Sequence, residues 1–154
     1  NSHIRMCMKK YVTGFLFSKD ASHVVLIKKI NPQWQNGLFN GVGGKIETNE
    51  TSIAAMVREF FEETGVTTQQ TDWTRYAKIY RLNGYDVDMY FAYSDLAFSA
   101  KTIEQEQVHI IDLTQLPRNI IPNLQWLIPL ALDKQADFSS PVLLQEIADE
   151  RLKA

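Results

Sequence analysis

The sequence predicts an α/β domain built on a mixed sheet, and three observations carry that prediction. Short runs rich in β-branched and aromatic residues alternate with two stretches of helical period around one apolar core. An Asn83-Gly84 pair separates two strand-like runs, which is a strong hairpin signal. A glycine-rich stretch, Gly41-Val42-Gly43-Gly44, feeds directly into an amphipathic helical pattern. With 154 residues, 45% hydrophobic and 22% charged, the chain reads as one domain over 1–154 with a sizeable core.

The elements follow in order. Lys10 to Phe17 is a strand, Ser18 to Ser22 a turn, and Val24 to Ile30 a second β-branched strand closing a hairpin. The segment Asn31-Pro32-Gln33-Trp34-Gln35-Asn36-Gly37 is rich in turn formers and reads as a loop. Asn49 or Thr48 is the expected cap of the first helix, with Glu50 in its first turn, where an anion is favoured. Ile53, Val57, Phe60 and Phe61 recur at helical spacing, flanked by Ala54 and Met56, and Gly65 stands where a left-handed residue would end the helix. Trp73 to Leu82 and Tyr85 to Tyr93 form the hairpin around Asn83-Gly84. Val108 to Leu113 reads as a short strand, and Asn123 to Lys134 as a second helix. From Pro141 to Leu152 periodicity does not decide between strand and helix.

Composition excludes several function classes. A formal net charge of -2 gives no field to recruit nucleic acid or an anionic membrane. No apolar run approaches the roughly 18 residues of a membrane span. The sole cysteine, Cys7, cannot close an internal disulfide, which suits a cytoplasmic protein. Asn1-Ser2-His3 is expected to be an expression remnant, with Met6 or Met8 as the native start and residues 1–8 disordered.

On the first helix the charges gather opposite the apolar stripe. Glu59 stands three and four positions before Glu62 and Glu63, so three carboxylates share one patch, with Arg58 at its border. A solvated charged face is the plain alternative. Against it, like charges at this spacing cost roughly 0.2–0.5 kcal/mol per pair. Anions in a last helical turn cost roughly a further 0.3–1 kcal/mol each. A divalent cation would reverse both penalties, because hard cations bind carboxylate oxygens.

From Gly44 the chain reads Gly44-x5-Glu50-x7-Arg58-Glu59-Phe60-Phe61-Glu62-Glu63-Thr64-Gly65-Val66. This resembles the box of the Nudix hydrolases at every defining position. The resemblance implies an α/β/α sandwich with a mixed sheet and a catalytic helix after the glycine-rich loop. It also implies Mg²⁺ or Mn²⁺ held by Glu59, Glu62, Glu63 and the Gly43 carbonyl. Arg58 is implied as the residue that orients these carboxylates, with Glu50 its partner, and Gly44, Glu50 and Gly65 as structural members. The implied activity is cleavage of a phosphoanhydride bond in a nucleoside diphosphate derivative, a small-molecule substrate. Glu59 is the first candidate for activating water. Many members use a later-loop glutamate instead, for which Glu104 and Glu106 stand in the expected place. Lys28, Lys29 and Lys45 are candidate phosphate contacts, with a solvated lysine as the plain reading of each.

Two segments resemble the subgroup that hydrolyses nucleoside triphosphates, oxidised purine ones included. Phe39-Asn40-Gly41-Val42-Gly43-Gly44-Lys45 places Asn40 where that subgroup contacts the base. Ile121-Pro122-Asn123-Leu124-Gln125-Trp126 aligns with a segment that supplies two acidic base contacts in eukaryotic members; here Asn123 and Leu124 replace them, and Ile121 replaces a stacking aromatic. Trp34 is a better stacking candidate than Trp126, which reads as helix packing. The expected reaction is conversion of a nucleoside triphosphate to monophosphate and pyrophosphate. Hydrolysis of ADP-ribose or of dinucleoside polyphosphates is the alternative. A non-catalytic nucleotide-binding module is the alternative of another class, although such modules usually lose box carboxylates and this chain retains them.

Overall fold

Residues 8–147 are described by the structure, a computed structural model. The expectations for 1–7, including Cys7, and for the tail beyond 147 lie outside these residues. The alternation along β1 (Lys9–Phe17) decides the architecture. Val12 and Leu16 face one core, whereas Phe15 and Phe17 face another. The same division runs along β2 (His23–Lys28), where Val25 and Ile27 join the first core and Val24 and Leu26 the second. A strand buried on both faces must sit inside a sheet covered on both sides.

The remaining elements are β3 (Phe39–Asn40), β4 (Val42–Lys45), α1 (Ser52–Thr64), β5 (Thr74–Arg81), β6 (Tyr85–Tyr93), β7 (Gln107–Asp112), α2 (Leu124–Ala131) and β8 (Val142–Gln145). They build an eight-stranded mixed sheet in the order β3-β2-β1-β6-β5-β8, with β4 on β1 and β7 on β2. Strands β1 and β6 run parallel over their full length, as do β5 and β8 over a shorter one. The other edge of β1 is shared: β4 pairs along Tyr11 to Gly14, while β2 pairs at Phe17. The sheet parts between these two partners.

Helix α1 covers the face of Val12, Leu16 and Ile27 through Ala55, Met56 and Phe60. Helix α2 covers the opposite face through Leu124, Leu127 and Ile128. The fold is therefore the expected α/β/α sandwich with a mixed sheet.

Several boundaries differ from expectation, each for a local reason. Thr51, rather than Asn49 or Thr48, caps α1, its hydroxyl accepting from the Ala54 N–H at 3.2 Å. Glu50 accordingly lies ahead of the helix, and the first turn carries no acid. Phe61 is 53% exposed; the buried stripe is centred on Ala55, Met56 and Phe60 instead, so Phe61 falls off its edge. Gly65 does end α1 in the left-handed region, at φ 76°, its N–H reaching the Phe61 carbonyl. Strand β2 stops at Lys28, because Lys29 instead closes the following loop by bonding Leu38. The undecided tail contains a strand, β8, at the sheet edge.

Candidate active site

The box lies where β4 passes under α1. Gly43 pairs with Thr13 and Gly44 with Val12, so both glycines are strand residues against β1. A Cβ on Gly43 would come within 1.9 Å of the Val12 carbonyl oxygen. A Cβ on Gly44 would come within 2.5 Å of the Glu59 carboxyl carbon. The first glycine thus permits backbone to touch backbone, and the second makes room for a carboxylate.

Arg58 is the hub of the charged face rather than its border. Its Nε and Nη2 donate to the two Glu50 oxygens at 2.7 and 2.9 Å, a bidentate fork. Nη1 donates to Glu59 Oε1 at 2.9 Å and Glu62 Oε2 at 3.2 Å, and Nη2 also reaches the Lys45 carbonyl at 3.0 Å. These bonds hold the Glu50 carboxyl below its ordinary range and raise the guanidinium further above its own.

Glu63 behaves differently from a surface acid. It is only 7% exposed, and its Oε2 is buried without a hydrogen-bond partner. Burial first, and the Glu59 charge second, push its pKa up to about 8, against the opposing pull of Lys29. Burial also raises Glu59, with Arg58 opposing. For Glu63 the plain alternative of a solvated charged face is therefore ruled out by its burial.

A cavity of about 610 Å³ brings Glu63 together with Glu104, Glu106 and Lys29. Glu106 is fully engaged there: it takes Lys29 Nζ at 3.1 Å, the Ile30 N–H at 2.6 Å and the Asn31 N–H at 3.3 Å. Burial works to raise the Glu106 carboxyl, but these donors outweigh it and the net shift is downward. Glu104 makes no hydrogen bond of this kind and is exposed.

On the other side of β4 a cleft of about 730 Å³ opens on the α2 face. Gly43 and Gly44 floor one end, and Asn40, Asn123, Ile121 and Trp34 line its walls. Asn40 spends its Oδ1 on the Gly41 N–H at 2.8 Å, which leaves its amide NH₂. Lys28 and Lys45 are exposed and do not line this cleft; Lys29 does. Trp126 lies on α2 outside it. Glu146, which the sequence did not single out, lines the far end with Tyr85, whose hydroxyl donates to the Glu146 carboxylate at 2.5 Å. The undecided periodicity of the tail hid Glu146, whereas the alternation of β6 accounts for Tyr85 as an ordinary strand residue as well.

These groups suit a hard divalent cation. A buried carboxylate oxygen without a donor, beside a second acid seated over a glycine, offers the oxygen ligands such ions take. Among the described residues no three acidic, His or Cys side chains converge into a finished cage, because Arg58 draws Glu59 and Glu62 toward Glu50. Among the described residues, too, no helix is long and apolar enough to cross a membrane.

Comparison with known proteins agrees with this geometry. No curated protein matches the sequence. Among solved structures, one from a study of MutT of Aliivibrio salmonicida and Vibrio cholerae is 21% identical, with 80% of this chain and 96% of that one covered and a TM-score of 0.60. A MutT NUDIX hydrolase from Burkholderia pseudomallei is 18% identical, over 83% and 98%, with a TM-score of 0.62. A NUDIX-family hydrolase from Clostridium perfringens is 19% identical, over 84% and 99%, with a TM-score of 0.63. At such identities the likeness speaks for the fold. The sequence itself matches the NUDIX domain over residues 8–134, most of its length. The chain belongs to the NUDIX domain family, and it is a pyrophosphohydrolase of that family.

Proposed function

We propose that this chain, as one domain, hydrolyses a nucleoside triphosphate, oxidised purine forms included, to the monophosphate and pyrophosphate in a Mg²⁺- or Mn²⁺-dependent reaction. The observation that carries this reading is the position of Gly44. It floors a nucleotide-sized cleft on one side and seats the Glu59 carboxylate on the other. A polyphosphate lying on the glycines would meet the box acids while its nucleoside fills the cleft toward Asn40 and Asn123.

Each residue has a stated task. Glu59, Glu62, Glu63 and the Gly43 carbonyl would hold the cation, which supplies charge neutralisation on the diphosphate and acidifies water. Arg58 positions Glu59 and Glu62, and Glu50 fixes Arg58. Glu104 is the proton acceptor, since Glu59 is held by Arg58 and Glu106 by Lys29 and two backbone N–H groups. A water oxygen forms the new bond to phosphorus, the α–β bridging P–O bond breaks, and the leaving group, pyrophosphate or nucleoside monophosphate according to the phosphorus attacked, takes its electron pair. The proton from water goes to the carboxylate. The single cysteine suits a cytoplasmic setting.

A substrate panel tests the reading: nucleoside triphosphates, oxidised triphosphates, ADP-ribose and dinucleoside polyphosphates with Mg²⁺ or Mn²⁺, with products identified. Monophosphate plus pyrophosphate from a triphosphate is the expected result. Preferential splitting of ADP-ribose would overturn the substrate class, and binding without turnover on every compound would overturn catalysis.

A further inference from the structure

Among the described residues, Lys29 alone lines both the nucleotide cleft and the acidic cavity of Glu63, Glu104 and Glu106. Its backbone is fixed: its N–H donates to the Leu38 carbonyl at 2.8 Å, and its carbonyl accepts the Gly37 N–H at 2.8 Å. Only the side chain is free to change partner. In this structure the ammonium lies on the acidic side, 3.1 Å from Glu106 Oε1, and both side chains are 18% exposed. Charges so placed are screened far less than surface charges.

We propose that the Lys29 ammonium is a resident counter-ion of the acidic cavity and transfers to the phosphates of an incoming substrate, so that polyphosphate and divalent-cation binding reinforce each other. The proposal rests on the nucleotide-hydrolase reading above and extends it to how the site is regulated. When the ammonium leaves, the cavity of Glu63, Glu104 and Glu106 loses a positive charge, and the affinity of the adjoining cation site, to which Glu63 belongs, rises. The fold tolerates this exchange, because Glu106 keeps the Ile30 and Asn31 N–H groups and the loop stays tied down. Linkage makes the coupling reciprocal: a bound divalent cation repels the ammonium toward the cleft and thereby tightens polyphosphate binding. Lys29 is thus a positioning residue for charge, acting on the carboxylates and the substrate in turn.

The test is Mn²⁺ binding to the full chain without nucleotide, followed by electron paramagnetic resonance, alongside KM and kcat for a triphosphate. Lys29→Met is expected to tighten Mn²⁺ binding by about fivefold or more and to raise KM by a similar factor. Lys29→Arg, which keeps the charge, is expected to bind Mn²⁺ more weakly than Lys29→Met. Lys29→Gln serves as a second neutral variant, and thermal melts identify whichever one folds. Unchanged or weaker Mn²⁺ binding in the folded neutral variant would overturn the proposal, as would Lys29→Arg behaving like Lys29→Met. The Mn²⁺ titration needs no turnover. A chain inactive on the whole substrate panel would therefore sink the functional reading and still leave this measurement decisive.

Discussion

Gly44 sits so close beneath Glu59 that a methyl group at position 44 would stand 2.5–2.7 Å from all three atoms of the Glu59 carboxylate. The obstructed atoms are the far end of a flexible side chain, so Gly44→Ala should cost little stability, under about 1 kcal/mol. It should still lower turnover at least tenfold by displacing the carboxylate. Gly43→Ala meets the Val12 backbone instead, at 1.9 Å, and should destabilise the fold by about 2–3 kcal/mol. Thermal melts and kcat on the two variants would separate these effects; equal loss of stability in both would refute the distinction.

Glu63 makes the metal-free protein sensitive to alkali. Its folded pKa, about 8, lies above the ordinary glutamate value of 4.5, so the native state holds an extra proton between these values. The contribution of Glu63 to stability is then fully present below about pH 4.5 and is lost as pH rises from there through 8, by on the order of several kcal/mol. Glu63→Gln should flatten that decline in chelator-treated protein and stabilise it at pH 8. Added Mn²⁺ should raise the melting temperature of the wild type more at pH 8 than at pH 6. Chemical denaturation across pH checks the first point and calorimetry the second.

Arg58→Lys should not rescue the loss caused by Arg58→Ala. An ammonium cannot reproduce the fork that Nε and Nη2 make on Glu50 while Nη1 holds Glu59 and Glu62. Both variants should lose about 1–3 kcal/mol of stability and at least tenfold in kcat. A lysine variant with wild-type turnover would show that charge alone suffices.

Glu104 and Glu106 should separate kinetically. Glu104→Gln is expected to lower kcat at least tenfold with KM little changed, the mark of a group needed only in the transition state. Glu106→Gln weakens the tie to Lys29, Ile30 and Asn31, so it should raise KM and loosen the 30–37 loop. Steady-state kinetics with amide hydrogen exchange over that loop would decide between them; the reverse pattern would reassign the proton acceptor.

Much of this site was legible because it is local. Gly44 to Val66 carries a dense pattern of residue types, and the left-handed Gly65 follows from helix termination alone. The pairing of Arg58 with Glu50 could be anticipated, but not its simultaneous hold on Glu59 and Glu62, which depends on the guanidinium plane. The burial of Glu63 was hidden for a different reason. Helical spacing places it beside Glu59, whereas the 103–106 loop that helps enclose it comes from a distant part of the chain. The ion pair of Lys29, a candidate phosphate contact from the sequence, was hidden likewise, since its partner Glu106 lies far along the chain and nothing near Lys29 announces that contact. Strand β8 gave no periodic signal because only four residues pair and most of its side chains are exposed.

The division of β1 between two cores also bears on how such a chain could diversify. Phe15 and Leu16 are chain neighbours that report to opposite compartments, one shared with the pocket-forming helix α2 and the other with the acid-bearing helix α1. Damage at one should blunt selectivity, and damage at the other should blunt turnover. A lineage could therefore retune what it accepts by altering odd-numbered positions of this strand while leaving its chemical engine intact.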